Sequence, residues 1–356
     1  MTAVSYTLIL IGAALFVLLT GAAYSVYLER KVSALIQQRV GPNRVGPFGL
    51  LQPLADVIKL ILKEDIVPTS ADKLVHFLAP IISVTIALIT FAVIPFARVE
   101  GIGMTEATNG FLVIADVNIG VLYILAIASV AVYGVTLAGW SSNSKYALLG
   151  GLRASAQMIS YELAMGLAVV SVILLTNATY GGEGGFLRPG AIVEAQRGAW
   201  NLFVNPLGFL IFVVCAFAEA NRAPFDLVEA EQELVGGFHT EYSSMKFALF
   251  FVAEYLHVIV ASMLITTLFV GGYLGPFEGM LGVQDWGWGG QLAWGLGWFL
   301  AKTVFFVFVF VWVRWTLPRF KYNQLMDIGW KKFLPLALAN LMLVAAGTAI
   351  YATLTA

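Results

Sequence analysis

Eight stretches of this chain, near residues 6–28, 74–96, 118–140, 155–176, 204–222, 247–270, 295–317 and 333–354, are each apolar for long enough to cross a bilayer. About 20 residues of α-helix span the roughly 30 Å of hydrocarbon. Barrel strands would instead show short alternating segments, and runs this long exclude them. The pattern predicts an all-α polytopic membrane protein with eight transmembrane helices in one integral membrane domain over residues 1–356. Composition agrees: 12% of residues are charged and 60% hydrophobic, whereas soluble domains carry roughly a quarter charged residues.

The cations orient the chain. With the N-terminus outside, the inner loops (29–73, 141–154, 223–246 and 318–332), together with Arg222 and Arg314 at the span ends that adjoin them, hold 16 of the 20 Lys and Arg residues. The outer loops hold Arg98, Arg188 and Arg197, and Lys302 falls inside a span with no partner legible in the sequence. The positive-inside rule then puts both termini outside. The leading MTAVS lacks the basic region of a cleaved signal, so the first span is expected to be retained.

Redox chemistry within the chain finds no ligands. Cys215 is the single cysteine, which excludes a four-thiolate iron–sulphur cluster and any internal disulfide. No GxGxxG or GxxxxGK[ST] stretch is present. Glu254 and His257 match the Glu-x-x-His unit of di-iron bundles, but those sites need two such units, and His76 and His239 have no Glu three residues before them. The chain is expected to carry no metal and no redox centre of its own.

The inner loops carry more pattern than connectors need. After Pro53, Leu54, Val57, Ile58, Ile61 and Leu62 fall on one helical face and Asp56, Lys59 and Lys63 on the other. That helix is too short to span, so it lies along the interface or caps a cavity. Residues 218–244 gather Glu219, Asp226, Glu229, Glu231, Glu233 and Glu241. Pro224 would open a short helix there and Gly236-Gly237 would end it. Asp226, Glu229 and Glu233 would share a face, with Glu231 pointing away. Such a cluster is either a solvated acidic face or a set of coupled carboxylates able to exchange protons.

Acids inside the spans sharpen the choice. Counting along the helices from the nearest basic residue puts Glu162 about 13 Å and Glu254 about 12 Å into the membrane. Glu219 lies shallower, one turn from Arg222, with which it is expected to pair. Ionisable groups at such depth face a polar interior and mark ion or proton paths.

Three stretches, LERKVSALIQQRVGPNRVGPFGLLQPLADVIKLILKED, GWSSNSKYALLGGLRASAQMISYELA and AEANRAPFDLVEAEQELVGGFHTEYSSMKFALFFVAEYLH, resemble, in this order, the quinone-site membrane subunit of respiratory complex I, the proton-translocating NADH:quinone oxidoreductase. The resemblance implies a multi-pass subunit of a bacterial plasma membrane that docks under a peripheral arm and forms the membrane part of a quinone chamber. Quinone is then the substrate, while NADH, FMN and iron–sulphur clusters belong to partner subunits. Carried over by residue, Glu29, Arg30 and Arg39 lie near the chamber entrance, and Arg222, Phe225 and Asp226 beside the path of the quinone head. Glu229, Glu231, Glu233 and Glu241 follow in the same loop, and Glu162, Glu219 and Glu254 are the connecting carboxylates. Some bacterial relatives have a further Glu where this chain has Ser129. A membrane subunit of an energy-converting hydrogenase-like complex, a proton-coupled secondary transporter and an architectural anchor are the competing classes. No internal repeat of the kind transporters show is visible.

Overall fold

The computed structural model describes residues 3–99, 108, 110–180, 186–226, 235–276 and 278–355. Among these residues seven helices are long and apolar enough to cross a membrane: Thr7–Ile36, Lys73–Val93, Gly120–Ser141, Lys145–Thr179, Ser244–Phe269, Trp288–Thr316 and Tyr322–Leu354. The eighth expected span is a shorter apolar helix, Pro206–Glu219.

In chain order the helices are α1 (Ala3–Ile36), α2 (Gln52–Leu62), α3 (Lys73–Thr90), α4 (Gly120–Ser141), α5 (Lys145–Tyr180), α6 (Pro189–Ala195), α7 (Asn201–Val204), α8 (Pro206–Glu219) and α9 (Ser244–Phe269). Then come α10 (Glu278–Leu281), α11 (Trp288–Thr316), α12 (Tyr322–Asp327) and α13 (Leu334–Thr355), with a π-helical turn at Ile328–Phe333 joining the last two into one rod. α5 packs against α4, α8 and α13, and α9 packs against α1, α3 and α11. The largest apolar core lies where these two groups meet, around Tyr161, Phe212, Leu256 and Phe299.

Several helices outrun the apolar stretches that announced them. α1 continues to Ile36, so Glu29 and Arg30 sit on a helix rather than in a loop. α5 starts at Lys145, leaving a connection of three residues after α4 where a loop over 141–154 was expected. At 36 residues it is about 54 Å long, so its first turns project beyond the hydrocarbon. The apolar pattern stops at the membrane surface, but the backbone has no reason to unwind there.

α8 is the exception, and its ends explain its length. At the start Pro206 occupies the first turn and the Asn205 side chain accepts from the Gly208 amide at 2.9 Å, a capped beginning. At the finish Asn221 takes a left-handed conformation (φ 49°). Its amide bonds to Ala218 O at 3.3 Å and the Arg222 amide to Phe217 O at 3.2 Å. This is a Schellman termination, and Pro224 prevents continuation in any case. Fourteen residues cover only about 21 Å. Irregular backbone therefore lies inside the bundle, which is tolerable only where protein groups satisfy it. Gln157 of α5 does so, donating Nε2 to Ala218 O at 2.8 Å.

The end opposite the cation-rich loops is closed by ion pairs. A two-stranded antiparallel ribbon not expected from the sequence, β1 (Ala97–Arg98) with β2 (Phe111–Leu112), sits there. Arg98 lies 3.0 Å from Glu194, Arg188 pairs with Asp116, and Arg197 pairs with Glu194 and, at 3.3 Å, with Glu278. All three cations expected in outer loops thus have acidic partners. Burial alone would raise the Glu194 carboxyl, but bonds from Arg197 and Tyr273 and the charge of Arg98 outweigh it and hold the group below the usual range. A depressed carboxylate stabilises the fold above its unfolded pKa and stops doing so as pH falls through the folded value. Glu194→Gln is expected to lower the heat stability of the purified complex at neutral pH, with the gap to wild type closing below about pH 4, the ordinary Glu range. Equal heat stability at neutral pH would show the cluster to be stabilising nothing.

Candidate functional site

Because α8 stops early, Arg222 lies in the bundle interior and not at its surface; it is 4% exposed. Its Nη1 donates to Glu29 Oε2 at 3.2 Å, its Nε lies 2.8 Å from Glu254 Oε1, and the guanidinium covers the Tyr255 ring at 4.3 Å. Glu29 is held from two further sides. Tyr255 donates its hydroxyl to Oε2 at 2.8 Å and Arg314 donates Nη1 to Oε1 at 2.6 Å. One guanidinium therefore joins α1 to α9 through two carboxylates, with a second guanidinium entering from α11. A narrow cleft lined by Ser25, Glu29, Tyr255 and Arg314 opens beside this network.

The expected pairing of Glu219 with Arg222 does not occur. The Schellman turn swings Arg222 off the helix line toward α1 and α9. Glu219 instead borders cavities shared with His257 and senses Glu162 electrostatically. Glu162 accepts from the Ser129 hydroxyl, and Ser129 lies on an exposed flank of the bundle. The four carboxylates Glu29, Glu254, Glu219 and Glu162 are thus spread over α1, α9, α8 and α5.

Asp226 is 3% exposed and accepts from Arg319 Nη2 at 2.8 Å. Residues 224–226 form a turn, not the start of a helix. The cause is local: Phe225 is buried between Tyr161 and Phe320, with ring centroids at 5.3 and 5.6 Å, and Pro224 O accepts from the Phe320 amide at 3.1 Å. Docking on the α11–α12 connection fixes the chain in that turn. Glu229, Glu231 and Glu233, and with them the shared-face reading, lie outside the described residues. Glu241 is half-buried beside Tyr242, whose ring stacks on His76 at 3.9 Å.

Of the three residues expected near a chamber entrance, Glu29 is buried, whereas Arg30 and Arg39 are more open. Arg30 pairs with Asp56 of α2 at 2.7 Å, joining α1 to the amphipathic helix. Arg39 bonds Gln37 at 2.6 Å and Ser33 at 3.4 Å on the surface. α2 is held from below by Ser244, which donates to Leu60 O at 3.0 Å. Its apolar face, including Leu54, Ile58 and Ile61, is exposed, as an interfacial helix or the wall of a shared chamber requires.

Sequence reasoning missed Arg314 and Arg319, whose positions near a helix end read as ordinary inner-loop cations, and Tyr255, hidden in an apolar run. Lys302 gains the partners the sequence withheld. Its Nζ donates to Val270, Gly272 and Leu274 carbonyls at 2.6, 3.0 and 2.6 Å, and lies 4.6 Å from the Trp200 ring. Among the described residues no group of three or more His, Cys, Asp or Glu is arranged to hold a metal.

These features define an all-α polytopic membrane protein whose interior carries a charged network reaching from a cation-rich end toward mid-bundle. A family profile described as NADH dehydrogenase matches residues 9–345. The chain is 58% identical over 342 residues to NADH-quinone oxidoreductase subunit 8 of Rhodothermus marinus, covering 94% of each chain. It is 54% identical over 342 residues to the H-type NADH-quinone oxidoreductase subunit of Salinibacter ruber, covering 94% of this chain and 93% of that one. To an H-type NADH-quinone oxidoreductase subunit of Cytophaga hutchinsonii it is 48% identical over 339 residues, covering 95% of each. The chain belongs to the NADH dehydrogenase family.

Proposed function

We propose that this chain is the membrane subunit of a proton-pumping NADH:quinone oxidoreductase, forming the quinone chamber together with the peripheral arm and coupling quinone reduction to proton translocation. The observation that carries this reading is the buried Glu29–Arg222–Glu254 network, placed where the short α8 leaves polar backbone inside the bundle. The names of the relatives favour it over a secondary transporter or an anchor. In this reading the membrane is a bacterial plasma membrane, and the bias of Lys and Arg supports a cation-rich end facing the cytoplasm with both termini outside.

In this reading Glu29, Arg30, Arg39, Arg222, Phe225 and Asp226 shape the chamber, and α2 forms part of its wall. Electrons reach the quinone from iron–sulphur clusters in partner subunits, where NADH and FMN also bind. Reduction to the quinol takes up two electrons and two protons. That uptake changes the charge beside Glu29 and Arg222, whose ion pairs then redistribute. Glu254, Glu219 and Glu162 carry the change sideways through the bundle to the flank at Ser129, while Glu229, Glu231, Glu233 and Glu241 serve the chamber end.

Glu219→Gln and Glu162→Gln test the path, since Gln keeps the shape and cannot ionise. Assembly and NADH oxidation by a hydrophilic acceptor should stay at wild-type levels. Proton pumping with quinone should fall by about 100-fold, the lower end for a positioned acid–base group. Wild-type pumping in both variants would make these glutamates structural and remove the path.

A further inference from the structure

Two cavities inside the bundle meet at one wall. The first, between α3, α4, α5, α8 and α9, has about 40 Å³ open to the centres of water molecules and runs past Thr90, Val121, Pro189 and Thr267. The second has about 50 Å³ and is bordered by Ser83, Asn221, His239 and Glu254. Glu219, Ala220 and His257 line both. Since one water needs roughly 10–15 Å³, each cavity has room for several.

Among the described residues neither the Glu219 carboxyl nor the His257 ring has a hydrogen-bond partner. A polar group left so in a membrane interior costs several kcal/mol unless water meets it. Water in the two cavities would supply that partner to both groups.

We propose that His257 is the base that shares the proton of Glu219 across this wall, making the two residues one proton-exchanging pair. The inference rests on the coupling reading above. Glu219 cannot ionise alone without penalty: Glu162 lies within electrostatic reach on α5, and Arg222 is already committed to Glu29 and Glu254. Moving its proton through water to a ring nitrogen of His257 creates a carboxylate and an imidazolium together, whose attraction offsets part of the desolvation. The other ring nitrogen then releases its proton to cavity water and restores the neutral imidazole. Glu219 is reprotonated from water in the cavity beside Glu254, so one proton crosses; His257 is left as the other tautomer, and a ring flip or tautomer exchange through water resets it for the next proton. His239 and Glu254 face the pair from the second cavity, Glu254 one turn before His257 on α9. With no second Glu-x-x-His unit in the chain, that spacing serves no di-iron site and instead sets an acid and a base on one side of one helix.

The test uses the assembled complex in inside-out membrane vesicles, with saturating short-chain quinone. His257→Ala should keep assembly and NADH oxidation by a hydrophilic acceptor while lowering proton pumping by about 100-fold, the lower end for a positioned proton-transfer group. The truncated side chain leaves space for a small ring. Added imidazole should restore pumping, and pyrazole, a ring of the same size and far weaker basicity, should not. Wild-type pumping in His257→Ala, or equal restoration by both rings, would overturn the proposal and leave His257 as packing. If the Ala variant does not assemble, His257→Gln decides: full assembly with low pumping supports the pair, and wild-type pumping overturns it. Glu219→Gln runs in parallel. Loss of pumping there with normal pumping in His257→Ala sinks the pair alone, whereas normal pumping in both Glu219→Gln and Glu162→Gln sinks the coupling reading itself.

Discussion

Arg222→Met is expected to prevent accumulation of the assembled complex, and with it nearly all quinone reductase activity. The guanidinium, itself 4% exposed, meets both Glu29, at 3.2 Å, and Glu254, at 2.8 Å. Removing one partner of a buried ion pair costs about 3–5 kcal/mol because the remaining charge keeps its desolvation penalty. That is a large fraction of the stability of a typical domain. Arg222→Lys should fall between Met and wild type, since an ammonium keeps the charge but lacks the planar fork that reaches two carboxylates at once. Adding Glu254→Gln to Arg222→Met removes part of the excess negative charge, so the double variant should recover assembly without recovering turnover. Non-additivity of this kind is the signature of direct coupling. Assembly on native gels and quinone reductase rate per assembled complex read the two effects separately. Normal assembly and normal turnover in Arg222→Met would show the network to be idle.

The same residue shows where the sequence is legible and where it is not. Hydropathy over 20-residue windows located every span, because burying apolar side chains in lipid is a local requirement that each stretch meets alone. It placed α8 correctly and misjudged its end. The apolar run continues to Ala220, and the stop depends on a left-handed Asn221 and on Pro224, signals worth two residues against a window of twenty. From that small error followed the wrong partner for Glu219. Buried acids were easier to find than their cations. A Glu at mid-membrane stands out against apolar neighbours, whereas Arg314 and Arg319 lie among the many inner-loop cations, and only the crossing of α11 over α1 and the turn at 224–226 brings them to Glu29 and Asp226. Partner choice is set by tertiary geometry, which charge counts along a chain do not encode. The ion pairs at the opposite end repeat the lesson in part: Arg98 reaches Glu194 and Arg188 reaches Asp116 only across the fold, whereas Arg197 pairs with Glu194 three residues away.

Lys302 separates a buried charge that builds the fold from one that carries function. By depth alone it resembles the membrane glutamates and would qualify as a proton-path residue. Its surroundings argue otherwise. α9 ends at Phe269, and the chain then turns through Gly271 and Gly272, both at positive φ of 71° and 50°. A Cβ on Gly272 would sit 2.6 Å from the Val193 side chain, so any other residue would strain this turn. A helix end leaves carbonyls without intrahelical partners and a partial negative charge, and the Lys302 ammonium satisfies three carbonyls of this segment together. Lys302→Met keeps the aliphatic stem and removes all three bonds. It is expected to destabilise the subunit by at least the roughly 1.5–3 kcal/mol of a single charge-assisted hydrogen bond, since the three carbonyls lose their shared donor in a region water reaches poorly. The readout is the heat inactivation of quinone reductase activity in the purified complex, which should accelerate severalfold while turnover per intact complex before heating stays at the wild-type level. Lys302→Arg, whose fork is broader than the ammonium site, should be intermediate. Wild-type heat resistance combined with lost proton pumping would reverse the assignment and place Lys302 on the path with Glu254, Glu219 and Glu162.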